Sequence, residues 1–248
     1  MTTPPQPTHH LLAHLHELRL RLLLVVAFFA LAWVGCYSIH PELFAWLTGP
    51  LRAAGEGAPL IFTGVGELFF TYLKLSAWVA LLVTLPVALT MLWGFVAPGL
   101  YPAERQWVWP LMVAAPALFI MGAGLAFYGV LPLALQFFLS FAEPGVQALP
   151  SVKEYLGFAL NLVFGFGLAF QLPLLLVALV RLGVITPAGL ARGRRLAIVG
   201  IFIVAGVLTP PDPVSQVLLA LPLVLLYEIT VRVAKPPRTL IQETTDHA

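Results

Sequence analysis

Two glutamates, Glu17 and Glu104, are the side chains whose positions best suit recognition chemistry in this sequence. Glu17 lies one helical turn before Arg21 in an amphipathic segment, and an i,i+4 ion pair is sufficient to explain it. Glu104 follows a proline-containing turn and is expected in the first turn of a helix, where the helix dipole favours a carboxylate. Both acids are expected on a face of the protein that is otherwise basic. The alternative interpretation is therefore a pair of anionic contacts for a cationic partner.

An amide, Gln171, is the third polar group of interest because it falls near the middle of a long apolar segment, two residues before Pro173. A neutral amide at that depth often joins two packed helices by a hydrogen bond. It could equally line a groove that water reaches. The sequence leaves both interpretations open.

No catalytic site is indicated by the remaining polar residues. All six histidines lie outside the apolar segments, and there is no Walker-type loop, HExxH motif or GxSxG motif. The single cysteine, Cys36, cannot form an intramolecular disulfide and has no Cys/His tract beside it for a metal. The sequence therefore predicts no enzyme activity, no cofactor and no bound metal.

Composition shows which kind of protein must position these groups. Of 248 residues, 60% are hydrophobic and 10% are charged, whereas soluble domains have about 25% charged residues. The mean hydropathy of +0.95 excludes a disordered chain as well as a soluble one. The net charge of +2, spread between apolar segments, does not suggest binding to nucleic acid. The chain is predicted to be an integral membrane protein.

Six apolar segments, each bounded by charge or by Pro and Gly, are candidate transmembrane helices. They cover residues 22–39, 73–96, 106–131, 156–180, 196–208 and 213–227. We predict an all-α integral membrane protein with one six-helix transmembrane domain, residues 1–235, and a flexible cytoplasmic tail, residues 236–248. The fifth segment would extend only about 20 Å against a hydrocarbon core of about 30 Å. The short fifth and sixth helices therefore either cross a thinned bilayer or form a re-entrant hairpin.

The distribution of positive charge predicts the orientation. With the N-terminus inside, ten of the thirteen lysines and arginines fall on the cytoplasmic side. Both termini are therefore expected in the cytoplasm. A cleavable signal ending at Ala30-Leu31-Ala32 is the rival interpretation, but the apolar segment continues to Ile39, which favours a retained helix.

Four segments together resemble TatC, the multispanning receptor of twin-arginine protein translocases. They are His14 to Leu22, Gly94 to Arg105, Phe170-Gln-Leu-Pro173, and Leu208 to Gln216. The resemblance covers about residues 11 to 235. It is specific because the segments occur with six candidate spans and short final helices.

This resemblance implies a glove-shaped bundle in the cytoplasmic (inner) membrane that binds twin-arginine signal peptides of folded cargo and is driven by the proton motive force. It also implies partnership with single-span TatA-type and TatB-type subunits and self-association in the complex. Glu17 and Glu104 match the acidic positions that receive the paired arginines. Other matching positions belong to the signal site (Arg19, Leu22, Phe95), to the groove or partner helix (Pro50, Tyr128, Gln171, Pro173) and to the last outer turn (Asp212, Gln216). Many family members have Glu where this chain has Gln171, so a titratable acid cannot be essential here.

A small-solute or ion transporter is the main alternative function. Transporters of that class usually show an inverted repeat and ionisable residues deep in their helices. The sequence shows no such repeat and no ionisable residue deep in the first five spans. The translocase interpretation is therefore favoured.

Overall fold

The computed structural model describes the backbone of residues 7–54, 60–61, 64–96, 108–140, 151–208 and 213–233. Side chains are described in these ranges except at 7–15, 96, 108, 208, 214–215 and 233. Within this part of the chain the structure is helical, and its only β element is an isolated bridge between Ile61 and Ser151.

Eleven α-helices and one π-helical segment make up the described fold. In chain order they are α1 Pro7–Ser38, α2 His40–Leu47, α3 Gly49–Ala54, α4 Glu67–Val96, α5 Val108–Leu125, the π segment Ala126–Val130, α6 Leu131–Leu139, α7 Val152–Ala169, α8 Leu172–Arg181, α9 Pro187–Arg192, α10 Arg194–Leu208 and α11 Pro213–Val233. This arrangement confirms the prediction of an all-α protein.

Four units among the described residues are long and apolar enough to cross a membrane, namely His16–Ser38, Glu67–Phe95, Trp109–Leu139 and Val152–Arg181. Helices α10 and α11 occupy the positions of the predicted fifth and sixth spans. With 15 residues, α10 extends about 22 Å, which is short of the hydrocarbon core of about 30 Å. The count of six spans and their orientation stay predictions.

The third apolar unit continues beyond the predicted end at residue 131 and reaches Leu139. Pro132 was expected to end this helix because proline has no N–H to donate and its ring crowds the preceding turn. The chain instead widens into the π segment, and the N–H of Leu131 donates to the carbonyl of Ala126, five residues back. This wider turn lets the helix continue through Pro132.

The fourth apolar unit is interrupted in its middle by a turn between α7 and α8. The N–H of Gln171 donates to Leu168 O at 2.9 Å, a tighter turn than in an α-helix, and α8 then begins with Pro173 in its first turn. Proline fits there because the first N–H groups of a helix have no intrahelical acceptor. Gln171 therefore lies in a turn between two helices rather than inside a regular helix.

The sixth helix is longer than its apolar segment predicts. It ends at Val233 rather than at the predicted Tyr227. The extension carries Glu228 and Arg232, whose side chains approach to 3.7 Å one turn apart. Glu228 also contacts Arg194 of α10 at 3.1 Å. These pairs suit a polar helix end outside the apolar layer.

Helix α7 lies at the centre of the core, and α5 packs against it at very short range. Gly122 faces the backbone of Phe166, where an added Cβ would lie 2.7 Å from the carbonyl oxygen. Gly167 faces the ring of Phe119, where a Cβ would lie 2.6 Å from a ring carbon. Both glycines therefore allow α5 and α7 to pack closely. Helix α1, in contrast, packs mainly on α4 and has an apolar window with no buried residue.

Candidate functional site

Glu17, the first of the two candidate acids, lies on α1 and forms the predicted ion pair with Arg21. The same guanidinium reaches a second helix, because Arg21 Nη1 donates to the carbonyl oxygen of Met91 on α4 at 2.6 Å. Glu17 remains partly exposed, with 40% of its side-chain surface accessible. The ion pair therefore leaves the carboxylate accessible from outside the bundle.

Gly94 provides the space in which the Arg21 side chain lies. An added Cβ at Gly94 would be 2.9 Å from Arg21 Nη1. The next residue, Phe95, is half-buried at the end of α4, which Met91 and Gly94 place beside Arg21. The structure thus brings Phe95 and Glu17 to one end of the α1–α4 pair. Glu104 lies outside the described residues.

Arg19 and Leu22, also predicted for this site, are exposed on α1. Leu22 has 60% of its surface accessible, and it follows Leu18 and Leu20, which are exposed as well. This end of α1 therefore combines three charged residues, Glu17, Arg19 and Arg21, with an unburied apolar surface. Such a surface could contact both the charged and the apolar part of a ligand.

Gln171 forms the interhelical hydrogen bond that its packing interpretation requires. Its Nε2 donates to Ala115 O on α5 at 2.9 Å, so it joins the turn between α7 and α8 to a neighbouring helix. The side chain is half-buried, while Pro173 beside it is buried. Helix-packing is therefore an observed role, and the groove-lining role remains a prediction.

Pro50 and Tyr128 lie in a different part of the molecule from Gln171. Pro50 is half-buried in α3, which packs against α6, and Tyr128 is 71% exposed in the π segment. Phe127, next to Tyr128, stacks on Trp46 of α2 with ring centroids 4.3 Å apart. Tyr155 of α7 fixes the end of α2, because its hydroxyl donates to Leu47 O at 2.6 Å. Short helices and the π segment therefore support one another here.

Gln216 connects the two last helices. Its Nε2 donates to Phe202 O at 3.0 Å, and Gly206 leaves the space for the amide because a Cβ there would lie 3.0 Å from Nε2. Asp212, the other residue predicted for the last outer turn, lies outside the described residues. Among those that are described, no group of His, Cys, Asp and Glu could hold a metal ion.

Comparison with known proteins decides the family. A sequence model described as "Sec-independent protein translocase protein (TatC)" matches residues 13–222. This chain belongs to the TatC family. The Sec-independent protein translocase protein TatC of Magnetococcus marinus is 43% identical over 222 residues, which are 89% of this chain and 82% of that protein. The TatC of Escherichia coli K12 is 37% identical over 91% of this chain and 88% of its own length.

Solved structures agree with the sequence comparison. A crystal structure of the twin arginine translocase receptor TatC has a TM-score of 0.75 and 37% identity, and covers 89% of this chain and 97% of its own. A second crystal structure of that receptor, in DDM, has a TM-score of 0.77 and 36% identity. The chain is thus a multi-pass membrane component of a Sec-independent protein translocase, and this family is a transport component rather than an enzyme.

Sequence reasoning missed the tertiary role of Arg21, which it treated only as the partner of Glu17. The spacing of the two residues predicts their ion pair but not the bond to Met91, because Met91 is seventy residues away. The one available signal was Gly94, a glycine inside the apolar end of a helix, which often marks a close approach. Pro132 was a comparable signal for the π segment, because a proline inside an apolar helix has no N–H for the regular hydrogen-bond pattern.

Proposed function

We propose that this chain is the signal-peptide receptor of a twin-arginine translocase in the cytoplasmic membrane, with both termini in the cytoplasm. In this function Glu17 and Glu104 bind the paired arginines of the signal peptide of a folded cargo protein. The observation that supports the proposal most is the partly exposed carboxylate of Glu17 at the end of α4. The segment that follows α4 carries Glu104.

The chemistry of the acids suits arginine better than lysine. A guanidinium is planar and can donate two parallel hydrogen bonds to a carboxylate, whereas the lysine ammonium is a more strongly hydrated point charge. A hydrogen bond to a charged group contributes about 1.5 to 3 kcal/mol, and less when the pair is exposed. Two such pairs therefore cannot give tight binding alone, and we assign the remaining affinity to apolar contacts with Leu22, Phe95 and the exposed side of α1.

The existing pair with Arg21 does not prevent this binding. A partly exposed pair of this kind contributes only about 1 kcal/mol. A carboxylate also has several lone pairs and can accept from two guanidinium groups. An incoming arginine can therefore share Glu17 with Arg21 at small cost.

Assembly with TatA-type and TatB-type subunits and with further copies of the chain is the second part of the proposal. Family membership supports it, since a translocase component works with other components. The apolar window of α1, none of which is buried, offers surface for single-span helices. Export of folded cargo also requires external energy, and we assign it to the proton motive force, as the family resemblance implies.

Equilibrium binding of signal peptides to the purified protein tests the function. A peptide with two arginines should bind more tightly than the same peptide with two lysines, and Glu17→Ala or Glu104→Ala should remove most of this difference. Glu42→Ala is the matched control, since Glu42 is an exposed acid in the first turn of α2. Equal affinity for the two peptides in the unmodified protein would contradict the proposal.

A further inference from the structure

An apolar cleft lies between α8, α10 and α11 and has no role in the proposed function. Its volume is about 270 Å³, and its walls include Leu176, Gly200, Ile201, Leu223 and Tyr227. The one polar group among these walls is already used, because the Tyr227 hydroxyl donates to Leu190 O at 2.7 Å. The cleft therefore offers a ligand only carbon surface.

The cleft opens on the outside of the bundle. Leu175 and Val204 also line it, and they are 50% and 38% exposed. In a membrane protein this opening faces lipid. At about 270 Å³ the space lies just below the usual range of small-molecule pockets, about 300–1,000 Å³, and a helix about 10 Å across would not enter it.

Two arginines, Arg194 and Arg232, lie at one end of this cleft. Arg194 is one turn before the lining residue Ala197 on α10, and it contacts Glu228, the neighbour of Tyr227 on α11, at 3.1 Å. Arg232 approaches the same carboxylate oxygen at 3.7 Å. Arg192 and Arg195 flank Arg194 in the sequence and are exposed. The described parts of α9, α10 and α11 thus contain four arginines and one glutamate, which gives this region an excess of positive charge.

We propose that this cleft binds one anionic phospholipid, with an acyl chain between α8, α10 and α11 and the phosphate among Arg192, Arg194 and Arg195. Charge complementarity selects the occupant. Arginine-rich pockets between transmembrane helices attract anionic headgroups, and the planar guanidinium matches phosphate oxygens. A zwitterionic lipid offers the same acyl chain but adds a positive group to an end that already has excess positive charge.

The arginines are placed so that one lipid could fill the apolar cleft with an acyl chain and contact the guanidinium groups with its phosphate. Arginine side chains commonly lay their methylene stems along apolar surface and keep the charged end in the headgroup layer. Arg194 and Arg232 are 47% and 77% exposed, so their guanidinium groups are accessible to a phosphate while they contact Glu228. The lipid would therefore contact α8, α10 and α11 together and stabilise the packing of the short α10.

Native mass spectrometry of the detergent-purified protein tests the proposal with two probes that share their acyl chains, a phosphatidylglycerol and a phosphatidylcholine. The unmodified protein should retain one phosphatidylglycerol in clear preference to phosphatidylcholine. Arg192→Gln and Arg195→Gln should each lower this retention about fivefold, because a surface arginine attracts an anionic lipid with about that strength.

Gly200→Leu tests the acyl-chain part separately. An added Cβ at Gly200 has nothing within 4 Å, and Gly200 lines the cleft, so we expect the leucine side chain to extend into it. It should reduce retention of phosphatidylglycerol without lowering the thermal unfolding midpoint. Gly35→Leu is the matched control, since Gly35 of α1 also has nothing within 4 Å and should leave retention unchanged.

Several results would overturn the proposal. Equal retention of the two lipids would show that the arginines do not select charge. Unchanged retention in Gly200→Leu would place the lipid elsewhere. Loss of a co-purified single-span subunit in Gly200→Leu, with lipid retention unchanged, would assign the cleft to that subunit.

Discussion

Arg21 Nη1 donates a hydrogen bond to the carbonyl oxygen of Met91 at 2.6 Å, and this bond joins α1 to the end of α4. The same guanidinium holds the carboxylate of Glu17. The position of Glu17 therefore depends on the end of α4, which leads into the segment that carries Glu104. Arg21 is thus placed to position one acid of the proposed receptor site relative to the other.

Replacement of Arg21 tests this positioning role. Arg21→Gln should weaken binding of a twin-arginine peptide about fivefold, since a partly exposed charge-assisted hydrogen bond contributes about 1 kcal/mol. Arg21→Lys should not restore affinity, because one ammonium group cannot match both contacts of the planar guanidinium. Peptide affinity measured by fluorescence anisotropy checks both variants, with Arg52→Gln on α3 as an exposed arginine control. Tighter binding by Arg21→Gln would instead show that Arg21 competes with the peptide.

The contact between α5 and α7 predicts a contrast between two glycines of one helix. Gly122→Ala should lower the free energy of unfolding by about 1 to 3 kcal/mol, because the new Cβ meets the backbone oxygen of Phe166, which cannot move without shifting α7. Gly124→Ala has nothing within 4 Å and should be neutral or stabilising by up to about 1 kcal/mol through helix propensity. Thermal unfolding in detergent compares the two. Equal midpoints would refute the close approach.

Gln171 gives a prediction that depends on pH, because only its N–H group can make the bond to Ala115 O. Gln171→Leu should lower the free energy of unfolding by about 0.5 to 1.5 kcal/mol through loss of that bond. Gln171→Glu can donate only while the acid is protonated, so its unfolding midpoint should fall as the pH rises. The midpoint of the unmodified protein serves as the reference at each pH.

Export distinguishes the packing role of Gln171 from the groove-lining role. If the amide also lines a hydrated groove, Gln171→Glu should export a folded reporter, because water supports the charge. Gln171→Leu should then reach normal membrane abundance but export poorly. If Gln171→Leu exports normally while Gln171→Glu has low membrane abundance, Gln171 has only the packing role.

The last two helices allow a test of topology. Because α10 extends only about 22 Å, we expect locally thinned bilayer beside it and the turn after it on the outer side. Cysteine placed at position 212, in a Cys36→Ala background, should react with a membrane-impermeant maleimide from outside intact cells. Reaction only after permeabilisation would favour a re-entrant hairpin instead.

The helices were predictable from the sequence because their information is local. A segment of about 20 apolar residues must be helical in a bilayer, where each backbone N–H and C=O needs an internal partner. The starts of α2 and α9 were also predictable, since each has proline in its first turn, and Thr186 accepts from Gly189 N at 3.0 Å as a helix cap should.

Other features could not be predicted because they depend on residues far apart in the chain. The π segment before Pro132 is one of several solutions to a missing N–H, and the choice depends on packing of Ala126 and Phe127, which are buried. The extension of α11 depends on Arg194, which belongs to another helix. The bonds of Arg21 to Met91 and of Gln171 to Ala115 have the same character.

Photocrosslinking of a twin-arginine signal peptide to the protein in membrane vesicles tests the receptor role most directly. The account predicts that Glu17→Ala and Glu104→Ala each weaken the crosslink, that the double variant abolishes it together with export of a folded reporter, and that Glu42→Ala leaves both unchanged. Membrane abundance of each variant, measured in the same vesicles, separates a lost site from a lost protein. Undiminished crosslinking and export in the double variant at normal abundance would contradict the account.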